Sequence, residues 1–300
     1  MTCALAAAMA TLLLLPSCVA PGGNDVVERV SPPPPSAPPA HVTPPNLRSW
    51  RLDGAPQQGG LVRGQVATET VALTLDGRNV PLGADGAFII GFDRDAPPTM
   101  TLAEVKADGS LADHPLVIAP RAWRIERVDA PYRAGRSEPE FAALRPAELA
   151  AIAAARATRT DAAGWRQAFR WPAAGRQSGW FGSQRVYQGK PGSYHSGADV
   201  AVPTGTPVLA PADGVVVLAA DHPFTLEGNL LMVDHGAGLG SAFLHLSRLN
   251  VHVGDHVRQG QRIALSGATG RATGPHLHWG LQWNGARLDP LLVAGPVPAG

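Results

Sequence analysis

The sequence predicts a mainly β protein: a small N-terminal antiparallel β-sandwich, a connecting helix, and a C-terminal antiparallel β-sheet domain. Three observations lead there. Short apolar runs recur between Asp-Gly and Gly/Pro turn signals over residues 47–129 and again over 171–295. Between them, Pro139 to Ala157 changes to helical apolar spacing. Composition agrees: Gly 34, Pro 29 and an aromatic share of 6% suit turn-rich domains with connectors better than a helical bundle. A chain of 300 residues has room for one large domain or two smaller ones, each with its own core.

Taken in chain order, residues 1–18 read as an export signal. Ala4 to Leu15 is almost wholly apolar, too short to cross a bilayer and suited to the core of a signal peptide, although no Lys or Arg precedes it. Leu15-Pro16-Ser17-Cys18 looks like a bacterial lipoprotein processing site with an unusual proline, which makes Cys18 a candidate for a lipid anchor. Ordinary cleavage near Ala20 is the alternative. The expected location is therefore outside the cytoplasm, in the periplasm or cell envelope, with membrane anchoring if Cys18 is lipidated. Cys3 and Cys18 are the whole cysteine complement, so the mature domains have no disulfide and no thiolate metal site. Any metal has to be held by His and carboxylate.

Residues 19–46 form a Pro-rich linker, in which Ser31 to Pro45 reads SPPPPSAPPAHVTPP. Such a run favours an extended polyproline conformation and acts as a semi-rigid spacer. In the sandwich, Val71–Leu75 is followed by Asp76-Gly77, a hairpin signal; Ala87–Phe92 and Leu116–Ile118 are further strands. His114 stands alone there, which suits a structural role. Residues 130–170 are the connector. Pro146 can open its helix, with Leu149, Ile152 and Ala153 as a short apolar stripe that packs on one of the domains. Strands are expected in the last part at 206–210, 214–219, 230–233, 242–245, 262–266 and 276–283.

The chemistry concentrates in that last part. His195-Ser196-Gly197-Ala198-Asp199 sets an imidazole four residues before a carboxylate, and Gly197 argues for a loop entering a strand rather than a helix. In His276-Leu277-His278, strand alternation turns both imidazoles to one face. Catalytic zinc sites use three N/O ligands and leave a fourth position for water, whose pKa falls to roughly 7. His195, Asp199 and one of His276 or His278 supply such a set. The other histidine is then free for proton transfer or oxyanion stabilisation, with His245 as a second helper.

These residues stand in a longer pattern. Phe181-Gly182, His195 to Ala201, Pro203 to Val208 and Asp234-His235-Gly236 are followed by His245-Leu246-Ser247, Val253 to Val257, Gly260-Gln261 and Thr273 to Trp279. Over about the last 120 residues the chain resembles the lysostaphin-type (LytM-like) zinc peptidases, which cut peptide bonds of peptidoglycan. The resemblance implies one zinc per chain on His195, Asp199 and His278, with His245 and His276 as catalytic histidines. It implies peptidoglycan as substrate and a cell-wall enzyme as a candidate partner. Phe243 departs from the pattern, since many members have tyrosine there. Some relatives have lost the metal ligands and act as activators of cell-wall amidases; all five residues are intact here, which favours the enzyme.

Rival readings are weaker. His252 and His256 flank Gly254-Asp255, a turn signal, and read as exposed hairpin; His222 and His235 read as structural or surface residues. Gly267 to Gly274 lacks the following helix of a phosphate loop and reads as a cleft wall. Glu138 and Glu140 beside Pro139 make a poor glycosidase pair, and no Gly-x-Ser-x-Gly element is present. Lys+Arg 25 against Asp+Glu 24, with no basic cluster, argues against nucleic acid.

Overall fold

The computed structural model describes residues 50–129, 139–220 and 222–300. The segment expected to be an export signal, Cys3, Cys18, the proline-rich linker and Glu138 lie outside the described residues, as does the Glu140 side chain.

Seven strands come first: β1 (Arg51–Asp53), β2 (Leu61–Gln65), β3 (Thr70–Leu75), β4 (Arg78–Asn79), β5 (Ala87–Gly91), β6 (Thr99–Lys106) and β7 (Leu111–Val117). They form two antiparallel sheets, β1-β2-β5 and β4-β3-β6-β7. Asp76 and Gly77 make the expected hairpin, with φ 46 and 76, the mirror-image turn whose twist matches the strands. Pro115 lies on the edge strand β7, where a missing N–H leaves no ladder bond broken.

The apolar pattern does not mark β2 and β6, for specific reasons. In β2 the Phe88 ring fills the space a side chain at Gly64 needs, and Arg63 donates to the carbonyls of Trp165 and Gln167. In β6, Glu104 is buried because Thr70 and His114 bond its carboxylate. His114 also lies 3.9 Å from the Trp50 ring and is structural.

Next come β8 (Ile125–Val128) and the 19-residue helix α1 (Pro139–Ala157). Pro146 is not in the first turn but inside the helix, which Pro139 opens instead. An interior proline costs a helix about 3 kcal/mol, so α1 depends on docking more than on propensity. The inward stripe is also not the expected one. Arg145, Glu148, Ile152 and Ala155 are buried, whereas Ala153 is exposed. Two of the four are charged, so apolar periodicity alone misses them.

The last part contains β9 (Arg176–Gly179), β10 (Gln184–Tyr187), β11 (Lys190–Tyr194), β12 (Ala198–Ala201), β13 (Pro207–Leu209), β14 (Gly214–Ala219) and β15 (Asn229–Asp234). It continues with β16 (Leu239–Leu246), β17 (Arg248–Leu249), β18 (His256–Val257), β19 (Arg262–Leu265), β20 (Leu277–Trp283), β21 (Ala286–Leu288) and the short helix α2 (Pro290–Ala294). The main antiparallel sheet runs β18-β14-β15-β16-β20-β12-β9, with β21 on β20; β13-β19-β17 form a second sheet. The six expected strands correspond to β13, β14, β15, β16, β19 and β20 with shifted ends. β8 pairs in parallel with β10, so the two parts share a sheet.

Strand alternation gives the main sheet two different faces. Leu277, Trp279 and Leu281 of β20 and Phe243 of β16 fill the core, with Trp171 edge-on to Trp279 at 5.2 Å. Ala242 and Leu244 of β16, with Leu230 and Met232 of β15, form an apolar patch on the other side, and α1 packs on it through Ile152 and Ala155. Separate cores are not what folding produces. One buried cluster runs from Val62 to Leu288, and a Cβ on Gly91 would meet Leu288 at 2.9 Å and Trp283 at 3.0 Å.

Candidate metal centre

Asp199 of β12 and His278 of β20 are direct partners in the antiparallel ladder, so backbone pairing alone sets their side chains together. His195 enters from the segment between β11 and β12. The turn between needs a glycine: a Cβ at Gly197 would meet His278 Nε2 at 2.7 Å, as well as the Trp279 carbonyl. Three ligand atoms converge as a result. His195 Nε2 lies 3.0 Å from Asp199 Oδ1, His278 Nδ1 lies 2.9 Å from that oxygen, and the two nitrogens are 3.0 Å apart.

This donor set fits a cation. His195 Nδ1–H donates to the Trp180 carbonyl at 3.1 Å, which leaves Nε2 with a lone pair aimed at a carboxylate oxygen and a second imidazole nitrogen. Three lone pairs this close need a proton or a metal ion among them. The electrostatics say the same. Burial opposes charge on Asp199, yet the His195 charge and hydrogen bonds from both imidazoles hold its carboxyl well below the usual range. Burial also opposes the His195 cation, but Asp199 carries that imidazole above its ordinary value. At His278 burial prevails over Asp199 and lowers the value. Two N ligands and one O ligand make the composition of an open catalytic zinc site.

His276 and His245 stand beside the set. His276 Nε2 is 3.9 Å from Asp199 Oδ1, and its Nδ1–H donates to the Gly274 carbonyl at 2.8 Å. His245 Nδ1–H donates to the Thr269 carbonyl at 2.9 Å, and its ring centroid lies 4.8 Å from His276 and 6.3 Å from His278. In both rings a backbone carbonyl fixes the tautomer and leaves Nε2 as the uncommitted nitrogen. Burial, then the charge of His278, pushes the His245 imidazole down to about 4.

His245 reaches its place through a β-bulge. The β15–β16 register shifts between Asn229 and Leu231, and His245 has φ 61. A non-glycine residue in that region costs of order 1–3 kcal/mol. Its N–H is not lost, since it donates to the Glu227 carbonyl at 2.8 Å. The Gly267 to Gly274 segment forms a wall of the site: Thr269 Oγ1 donates to the Leu246 carbonyl at 2.8 Å and accepts from Asn229 N–H at 2.9 Å. No sequence signal marks these orienting carbonyls of Trp180, Thr269 and Gly274, because any residue type supplies one.

The other candidates fall elsewhere. His252 and His256 are exposed at the Gly254 turn, and His222 is exposed. His235 is fully buried, donating from Nδ1 to the Asp213 carbonyl and accepting at Nε2 from Ser241 Oγ. Phe243 points into the core with no exposed surface, so a hydroxyl at that position would not reach the histidines through its own face of β16. Among the described residues, His195, Asp199 and His278 are the one group of three or more His, Cys, Asp or Glu placed to hold a metal ion.

Comparison with known proteins adds to this geometry. Residues 193–290 match peptidase family M23. Over 103 residues the chain is 51% identical to the peptidoglycan DD-endopeptidase ShyA of Vibrio cholerae serotype O1, covering 34% of this chain and 24% of that protein. Over 104 residues it is 42% identical to the DD-carboxypeptidase/endopeptidase Mpg of Neisseria meningitidis serogroup B, covering 35% and 24%. The match spans about a quarter of the length of these curated relatives. A Pseudomonas aeruginosa structure assigned to peptidase M23 superposes with TM-score 0.64 at 29% identity, covering 81% of this chain and 96% of that one. That likeness extends well beyond the matched family segment into the first β part.

Proposed function

We propose that the chain is a zinc-dependent endopeptidase hydrolysing peptide bonds of bacterial peptidoglycan, a reading that starts from the match of residues 193–290 to peptidase family M23. One observation carries the reading: His195, Asp199 and His278 bring three ligand atoms together beside two further histidines whose Nδ1 positions are already committed. The names of the Vibrio and Neisseria relatives support peptidoglycan as the substrate class.

In this reading His195, Asp199 and His278 hold the zinc ion. When bound there, zinc supplies Lewis-acid chemistry, making water acidic enough to act as a nucleophile near neutral pH and polarising the scissile carbonyl. The chain's own part is proton handling and positioning. His276 and His245 present Nε2 to the cleft, where each can take or return a proton, or donate to a developing oxyanion. The depressed pKa of His245 keeps it neutral at rest. Glu227 lines the same groove but is not a free base, because Arg145 holds both its oxygens at 2.6 and 2.9 Å. Export through residues 1–18 and anchoring at Cys18 belong to the same proposal, as does a peptidase domain over residues 171–295.

The test is digestion of purified peptidoglycan by the zinc-loaded protein, with products identified by mass spectrometry. Cross-linked fragments should fall and uncrosslinked fragments rise, and a chelator should stop both changes. An unaltered fragment profile with zinc demonstrably bound would sink the enzymatic reading and favour the amidase-activator class.

A further inference from the structure

Beside the proposed metal ligands a cavity of about 90 Å³ lies between α1 and the sheet, bordered by His278, Ser196, Gly280, Gln282, Arg156 and Arg287, together with apolar side chains and with Glu227, whose carboxylate Arg145 already pairs. The two arginines come from different elements. Arg156 is in the last turn of α1, while Arg287 is on β21, paired in register with Gln282 of β20. Six other arginines each hold a carboxylate: Arg51, Arg94, Arg121, Arg145, Arg166 and Arg185. Arg156 and Arg287 have no such partner within salt-bridge distance among the described residues. Arg287 instead lies 5.5 Å from the centre of the Tyr194 ring, next to the ligand His195. Burial, and after it the positive charge of Arg287, lowers the Arg156 guanidinium below its ordinary value against the opposing pull of the Glu227 carboxylate.

Two like charges border one small cavity at an electrostatic cost that Glu227, committed to Arg145, offsets only in part and that an anion between them would relieve. Guanidinium groups favour planar carboxylates, which accept paired hydrogen bonds. The position along the groove is informative as well. Gly280 is two residues beyond His278 on the same face of β20, a strand displacement of about 7 Å. An extended peptide covers that span in about two residues. Gly280 also leaves the floor open, since even a Cβ there would sit 3.6 Å from the Ser196 carbonyl.

We propose that Arg156 and Arg287 form a carboxylate-binding subsite, selecting peptides that carry a free carboxylate one to two residues from the bond being cut. The proposal rests on the peptidase reading for its substrate and on the groove geometry for its location.

The test uses four synthetic cross-linked peptide dimers: free acid, amidated only at the chain-terminal carboxylate, amidated only at the side-chain or branch carboxylate, and amidated at both. With zinc-loaded protein, kcat/KM should fall about 10- to 100-fold when the recognised carboxylate is amidated, the size expected of a charge-assisted hydrogen bond. The singly amidated dimers show which carboxylate is read. In Arg156→Gln/Arg287→Gln the preference should shrink to less than about threefold, and Arg287→Lys, keeping the charge without the fork, should retain part of it. A thermal melt of each variant checks its fold. A wild-type enzyme indifferent to amidation, or a double variant with undiminished preference, overturns the subsite. If zinc-loaded wild type cuts none of the dimers, it is the peptidase reading that fails. Calorimetric binding of the free-acid and doubly amidated dimers then decides the subsite separately: a preference lost in the double variant supports it, and equal binding refutes it.

Discussion

His276, in a bridge with Gly267 just before β20, and His278 on β20 are two residues apart, yet they have different surroundings. His278 Nδ1 is in the ligand cluster, whereas His276 uses Nδ1 to donate to the Gly274 carbonyl. His278→Ala, like His195→Ala or Asp199→Ala, is therefore expected to lose zinc, measured as metal per chain after dialysis. His276→Ala and His245→Ala should keep near-full zinc while activity falls on the order of 100- to 10,000-fold. Exchange of these outcomes between His276 and His278 would reverse their roles. A different histidine contributes to the acid limb of stability. Burial pushes His235 down to about 4, and its neutral form is locked between Asp213 and Ser241. In the unfolded chain it titrates near 6.5, so between those values the unfolded state binds more protons. Its contribution is present above pH 6.5 and is lost as pH falls toward 4, by up to about 3 kcal/mol. Melting temperatures from pH 7 to 4 should fall less steeply in His235→Gln than in wild type, whatever the absolute stability of the variant.

At the scale of elements, α1 is held by a buried charge network. Arg145 binds Glu227 through two hydrogen bonds and Glu148 at 3.0 Å, and Glu148 accepts from Thr225 N–H and Oγ–H, both at 2.6 Å. Removing one member leaves an uncompensated buried charge, so Arg145→Ala should cost about 3–5 kcal/mol by denaturant unfolding. Arg145→Met/Glu227→Leu, which removes both the cation and its main partner, should cost less than the single change. That network explains the limits of the sequence reading. The His-x-His face, the Asp76-Gly77 hairpin and the six main strands of the second part are legible because alternation and turn chemistry act locally. The inward face of α1 is not legible, because Arg145 is compensated by Glu227, 82 residues away, and Glu148 by Thr225, 77 residues away. Nor is the bulge at His245, whose backbone is set by pairing with the Glu227 carbonyl rather than by its own residue type.

Across the whole molecule, the first β part helps build the site. Asp93, just beyond β5, accepts from Tyr194 hydroxyl at 3.2 Å and from Arg287 N–H at 2.8 Å. Arg94 lies over the same tyrosine at 4.8 Å, and Trp123 packs where a side chain at Gly182 would stand. The part that carries the proposed metal ligands is thus shaped by its predecessor. Cellular placement is a separate matter and has its own test. Cys18→Ala should turn a detergent-extracted membrane protein into a soluble exported one, followed by fractionation; unchanged membrane association would exclude the lipid anchor.

The ladder pairing of Asp199 with His278 has a further consequence. A one-residue slip between β12 and β20 would set Ala198 or Val200 opposite His278 and turn Asp199 to the other face. If zinc binds the proposed ligand set, its stoichiometry is therefore a gauge of strand register between β20 and β12 in the main sheet. On the proposed ligand set, a preparation that binds one equivalent has assembled that pair, and misregistered or unfolded chains should lower the zinc bound. Metal content can then grade refolded material or a panel of variants without any substrate, reporting on alignment where circular dichroism sees only the amount of β structure.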